Sequence, residues 1–148
     1  GPLKNLGVEF IEQPLAADLI DQMPAVFAQS ELPLIADENC LVLDDVKRCI
    51  GRFHGINIKL VKCGGLTPAR QMIELARQND LKVMVGCMTE STVGISAIAQ
   101  ILPLLDYVDM DGAALLKSDI ATGCQVVNGI CQYPLPSGNG LTLNSNCD

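Results

Sequence analysis

The sequence is poor in the residues that most often announce a function. It has one histidine, His54, so neither a metal site built on a histidine pair nor chemistry needing two imidazoles is available. None of its seven cysteines, at positions 40, 49, 63, 87, 124, 131 and 147, forms a Cys-x-x-Cys pair, so no structural zinc site is expected. Their odd number fits a reducing compartment, and each reads as a small buried apolar side chain. Aromatic residues are 3% of the chain and no run of Lys or Arg is interleaved with them, so nucleic acid is not an expected partner. Nor is a membrane: 49% of residues are hydrophobic, but polar residues interrupt every apolar run well short of a span. The N-terminus lacks the basic segment, apolar core and small-residue cleavage site of a secretory signal, which points to the cytoplasm. His54 itself, in Arg-Phe-His-Gly, reads as a surface residue at a helix exit.

What is present is enough for one cored domain. The chain has 148 residues and a net charge of −7, which favours solubility and says little more. Short apolar runs at 8–12, 33–36, 56–60, 82–86 and 107–110 read as strands, and segments of helical spacing separate them. The first helix spans 21–30, with Pro24 tolerated in its first turn. Asp44 or Asp45 caps the second, which Gly51 and Gly55 close. Thr67 as N-cap and Pro68 at the first helical position open the third, where Ala69, Met72, Ile73 and Ala76 share one face. Ser91 or Thr92 opens a fourth that runs to Leu102. Such alternation predicts parallel strands joined by right-handed helical crossovers, an α/β architecture. Beyond Asp119 the pattern changes, and residues 124–133 alternate about Asn128-Gly129 as in a hairpin.

The strand ends carry the chemistry. In an α/β barrel, catalytic groups sit at the C-terminal ends of strands. Here those ends bear Glu12, Asp37, Lys59, Asp109 and Asp111, with Glu90 shortly after the fourth strand. Glu12 and Asp37 are hard oxygen donors on separate strands, a pattern suited to a divalent cation. Glu38, next to Asp37, points elsewhere on an extended chain and serves at most as support. Lys59, at the mouth of an apolar strand, is a basic group costly to place there without a purpose, and burial and nearby cations would lower its pKa. Lys62 cannot share its face if the strand continues, and reads as a supporting charge. Asp109 and Asp111, two apart, face the same way and call for a cation between them.

Phe-Ile-Glu-Gln-Pro (10–14), Ile-Ala-Asp-Glu-Asn (35–39), Ile-Asn-Ile-Lys-Leu-Val-Lys-Cys-Gly-Gly (56–65), Val-Gly-Cys-Met-Thr-Glu-Ser-Thr-Val-Gly (85–94) and Asp-Met-Asp-Gly-Ala-Ala-Leu-Leu (109–116) together resemble a known pattern. In order and spacing they are similar to the C-terminal half of the barrel in the enolase superfamily, muconate-lactonising-enzyme subgroup, and among its members to the dipeptide epimerases acting on L-Ala-D/L-Glu and related dipeptides. The resemblance implies a partial (β/α) barrel over 1–120 and a C-terminal hairpin and tail over 121–148. It implies Mg2+ held by Glu12 and Asp37, and Lys59 as the base that removes a proton alpha to a carboxylate, giving an enediolate. Asp109 and Asp111 would clamp the substrate's alpha-ammonium group, while Cys87 and Thr89 would touch substrate largely through backbone. Glu90 is either a polar site residue or the N-terminal anion of the next helix, and Asn39 stands where relatives often carry Ser.

A closed eight-stranded barrel takes about 250 residues. The resemblance therefore places a capping domain, three strands, a lysine pair, the second base and the third metal carboxylate ahead of Gly1. The expected partners are a dipeptide or N-substituted amino acid, and either further copies of the chain or a complementing N-terminal half. N-acylamino acid racemase, o-succinylbenzoate synthase and muconate cycloisomerase are alternative relatives; a non-catalytic partial-barrel module is the alternative of a different kind.

Overall fold

The computed structural model describes residues 1–145. Cys147 lies outside them. The elements follow in order: α1 Pro2–Asn5, β1 Ile11–Glu12, α2 Met23–Gln29, β2 Leu34–Ala36, α3 Leu43–Cys49, β3 Gly55–Ile58, α4 Leu60–Cys63, α5 Leu66–Arg77, β4 Lys82–Gly86, α6 Thr92–Ala99 and β5 Tyr107–Asp109. Four short strands close the chain: β6 Ala121–Thr122, β7 Gln125–Val127, β8 Ile130–Gln132 and β9 Thr142–Leu143. Strands β1 to β5 form one parallel sheet in sequence order, a curled segment of a (β/α) barrel with its helices on the outer side. No helix among the described residues is long and apolar enough to cross a membrane.

The two-residue period of a strand divides the sheet into two chemically different faces. Leu34, Ala36, Ile56, Ile58, Val83 and Val85 point outward into a core shared with Met23, Val46, Met72, Ala76 and Ile98. The alternate positions, Glu12, Ile35, Asn57, Met84 and Gly86, line the inner face, and the inner row turns polar toward the strand ends. At the opposite end of that row, Phe10 and Tyr107 meet across the curl with ring centroids 4.6 Å apart, and the Lys82 ammonium lies 5.3 Å from the Tyr107 centroid.

Several element boundaries differ from the sequence reading, each for a local reason. The first strand is confined to Ile11–Glu12, where it has a partner in β2, and Val8 stays exposed. A 3-10 helix, Ala17–Gln22, occupies the segment before α2, and Pro24 does fall in that helix's first turn. Val42 is the N-cap of α3, while Asp45 reaches back from the third helical position to accept from the Leu41 and Val42 amides at 3.0 and 3.1 Å. Gly65, at φ +107°, rather than Thr67, is the N-cap of α5, because two consecutive left-handed glycines redirect the chain one residue pair early. Its apolar face packs as the spacing requires: Ala69, Met72, Ile73 and Ala76 are all buried. α6 begins after Ser91, whose hydroxyl accepts from the Val93 amide, and stops at Ala99, where a 3-10 helix containing Pro103 takes over.

His54 is half-buried rather than a surface residue. Its ring stacks on Phe27 at 4.2 Å, its Nδ1 accepts from the Leu34 amide at 3.1 Å, and its backbone joins the ladder between β2 and β4. Burial pushes the imidazole pKa below its ordinary value, so it is neutral in the fold.

Beyond β5, β7 and β8 form the hairpin, turning through Asn128 and Gly129 at φ +52° and +76°. The antiparallel β6–β9 pair was not part of the sequence expectation.

Candidate functional site

Strands β1 to β3 deliver four polar side chains to one rim. Asp37, one residue past β2 and 7% exposed, accepts from the Lys59 ammonium through Oδ2 and from Lys62 Nζ through Oδ1 at 3.3 Å. β3 ends at Ile58, and Lys59 is the extended N-cap of α4. The chain therefore turns helical one residue before the extended reading allows. Three residues along a helix return to the same side, so Lys62 joins Lys59 on Asp37 instead of facing away.

The Lys59 pKa departs from the sequence expectation. Burial pulls it down, but the hydrogen bond to Asp37, Asp37's charge and the charges of Glu12 and Glu38 outweigh that effect and hold it above the ordinary lysine value. Glu38 is exposed and contributes only this field. Glu12 is close enough to act on Lys59 electrostatically, and its Oε1 accepts from Asn57 Nδ2 at 2.6 Å.

The loops behind these groups are cross-tied. Gln13, at the uncommon φ of +41°, presents Oε1 to the Asp37 and Asn39 amides at 3.0 and 3.3 Å. Its Nε2 donates to Asn39 Oδ1 at 2.6 Å and to the Leu15 carbonyl at 2.8 Å. Asn39 Nδ2 in turn donates to the Ala17 carbonyl at 2.8 Å. Asn39 thus uses both ends of its amide to bind the loop after β1 to the loop after β2.

A second cluster lies at the ends of β4 and β5. Ligand atoms of Cys87, Asp109 and Asp111 fall within 4.8 Å of one another, both acids exposed. Burial pushes the Cys87 thiol up; the Gly112 N–H opposes this, and the charges of Asp109, Asp111 and Glu90 add to it. A protonated Cys87 leaves the two carboxylates to set the cluster's charge. Gly112 permits the loop to close here, because a Cβ on it would stand 1.9 Å from the Met88 carbonyl oxygen.

Thr89 is exposed and outside both clusters. Glu90 accepts from the Met88 amide at 2.9 Å and lies over the first turn of α6, where only the absence of a side chain on Gly94 makes room.

Asn57 is neutral, so no charge pattern in the sequence marks it. Its position two residues before Lys59 was the available signal, since that spacing on a strand fixes the same face.

The profile of the enolase C-terminal domain-like family matches residues 2–147. An L-Ala-D/L-amino acid epimerase of Flavobacterium johnsoniae is 60% identical over 141 residues, covering 95% of this chain and 42% of the relative. An L-Ala-D/L-Glu epimerase of Bacteroides thetaiotaomicron is 46% identical over 86% of this chain and 33% of the relative. The crystal structure of a dipeptide epimerase from Cytophaga hutchinsonii, complexed with Mg and D-Ala-L-Val, superposes with a TM-score of 0.89 at 28% identity, over 98% of this chain and 41% of that one. The chain spans between 33% and 42% of the length of these relatives. With a barrel segment and a family profile that agree over nearly its whole length, this chain belongs to the enolase C-terminal domain-like family.

Proposed function

We propose that this chain forms the C-terminal barrel half of a Mg2+-dependent epimerase that moves the proton alpha to a carboxylate, with a dipeptide as substrate. The observation that carries the reading is the rim cluster in which Lys59 and Lys62 converge on Asp37, with Glu12 within electrostatic reach. Relatives named as epimerases of L-Ala dipeptides, and a neighbour complexed with Mg and a dipeptide, support it.

The donor set fits a hard divalent cation. Glu12 and Asp37 offer carboxylate oxygens from adjacent strands, and a buried Asp37 that gathers two ammonium groups marks a place where positive charge is favoured. Bound Mg2+ would supply positive charge against the negative charge that develops on the substrate carboxylate. Lys59 takes the alpha proton as a neutral amine, or returns one as an ammonium when the reaction runs the other way. The attraction of Asp37 favours the ammonium and opposes loss of its proton. Lys62 shares Asp37 and limits how tightly that carboxylate holds Lys59.

Asp109 and Asp111 select the substrate. Two carboxylates beside a protonated thiol bind an alpha-ammonium group, which a dipeptide has and an N-acylated amino acid lacks.

The test is exchange of the alpha proton with D2O in the full-length protein. L-Ala dipeptides should exchange, and Asp109→Asn with Asp111→Asn should raise KM for them. Equal turnover of N-acetyl amino acids, untouched by those changes, would move the assignment to an N-acylamino acid racemase. Absence of exchange and of Mg2+ binding would leave a non-catalytic module.

A further inference from the structure

Asn57 stands out because its surroundings leave it half satisfied. It is 2% exposed on the inner face of β3, Nδ2 donates to Glu12 Oε1 at 2.6 Å, and Oδ1 is buried with no partner among the described residues. The amide cannot turn over to relieve this, because its oxygen would then face a carboxylate oxygen. Its plane is fixed from the other side as well. The side chain lies across Gly86 of the neighbouring strand, where a Cβ would stand 2.8 Å from Nδ2 and 2.9 Å from Oδ1. A buried polar atom is rarely left unpaired. Here the bond to Glu12 is kept while the oxygen goes without.

We propose that Asn57 is a positioning residue for Glu12, with Gly86 as the floor that holds its amide in place. The inference rests on the reading of Glu12 as a Mg2+ ligand and adds a determinant that carries no charge and touches no metal. Glu12 ends a strand of only two residues, so its own backbone restrains the carboxylate little. A hydrogen bond from Asn57 to one oxygen fixes the carboxylate plane and leaves the other oxygen free to coordinate. Removing it frees the side chain to rotate, and part of the binding energy is then spent on ordering it again.

The test is calorimetric titration of Mg2+ into the full-length protein, with the thermal midpoint of each metal-free variant measured alongside. Asn57→Leu, of similar shape, should weaken Mg2+ about tenfold without lowering the metal-free midpoint, since it also removes the unpaired oxygen. Gly86→Ala should weaken Mg2+ in the same direction by displacing the amide. Should the leucine variant fold poorly, Asn57→Ala serves for the same affinity measurement. Glu12→Gln is the control and should abolish tight binding. Affinity within twofold of the unaltered protein for Asn57→Leu, with binding lost in Glu12→Gln, overturns the role of Asn57 alone; so does a lowered midpoint with unchanged affinity. Unchanged affinity in Glu12→Gln overturns both the ligand assignment and the inference built on it.

Discussion

The sheet and the tail hold together by different means. In the sheet, outward-facing side chains such as Ile56, Ile58, Val83 and Val85 are fully buried. In the tail, Ile130, Leu135 and Leu143 are exposed, and Cys124 and Ala121 are among the few buried apolar residues. The tail packs Cys124, Val126 and Cys131 onto the core and is further attached to α6 by polar contacts. Asp119 accepts from the Ser91 hydroxyl at 2.5 Å and the Thr92 amide at 2.7 Å, Ser96 Oγ accepts from the Cys124 amide at 2.8 Å, and the Tyr133 hydroxyl donates to the Ala99 carbonyl at 2.8 Å. Burial dominates in the first region; in the second, where Cys124, Val126 and Cys131 still reach the core, directional bonds carry more of the attachment, so the two should respond to different perturbations.

The largest effect belongs to the rim that the sheet supports. Lys59→Ala in the full-length protein should reduce alpha-proton exchange with D2O by at least ~100-fold, the lower range for a lost acid-base group, with Mg2+ affinity nearly intact. Unchanged exchange would remove Lys59 from the reaction.

In the sheet itself, Ile58→Ala should cost about 2–5 kcal/mol, while Ile130→Ala in the tail should stay within about 0.5 kcal/mol. Comparable shifts in thermal midpoint for the two would erase the contrast between regions.

Asp119→Ala should cost about 1 kcal/mol as a lost helix cap and should open the tail to proteases before the sheet. Partial burial pushes the Asp119 pKa up, but the Ser91, Thr92 and Ala121 donors outweigh it and hold the group at about 2. A depressed carboxylate stabilises the fold above its unfolded pKa, and that contribution fades as pH falls through the folded value. Between roughly pH 4 and pH 2, therefore, the unaltered protein should lose stability that the alanine variant has already lost. A variant with the same acid response would show that Asp119 is not the anchor.

The smallest expected change is Tyr133→Phe, about 0.5 kcal/mol for a partly exposed hydrogen bond, seen as faster hydrogen exchange in the tail rather than the sheet. Equal acceleration in both would mean that they open together.

Much of the sheet was legible because strand periodicity acts locally. Every second residue from Leu34 to Ala36 and from Ile56 to Ile58 must face the helices, whatever lies elsewhere in the chain. The acids and Lys59 could be placed on one rim because parallel strands point the same way. Less legible was anything decided by where a turn begins. Lys62 joins Asp37 only because extended backbone gives way to helix at Leu60, and the glycines that govern α5 outweigh a favourable Thr-Pro start. The expected fall in the Lys59 pKa is reversed because the anions around it, Asp37, Glu12 and Glu38, outweigh burial. Asn57 was marked only by its spacing from Lys59, because hydrogen-bonding demand, unlike charge or apolarity, has no period. Pairing of Thr122 with Thr142 escaped notice because strands of two residues, separated by a Gly- and Pro-rich loop, present too little pattern to match.

The meeting of Phe10 with Tyr107 has a consequence for the inner face as a whole. Phe10 directly precedes β1 and Tyr107 opens β5, and their rings meet at the end of the strands away from the acids, with the Lys82 ammonium beside them. The inner row therefore runs from an aromatic floor to an ionic mouth, and the strand direction is itself an axis of polarity.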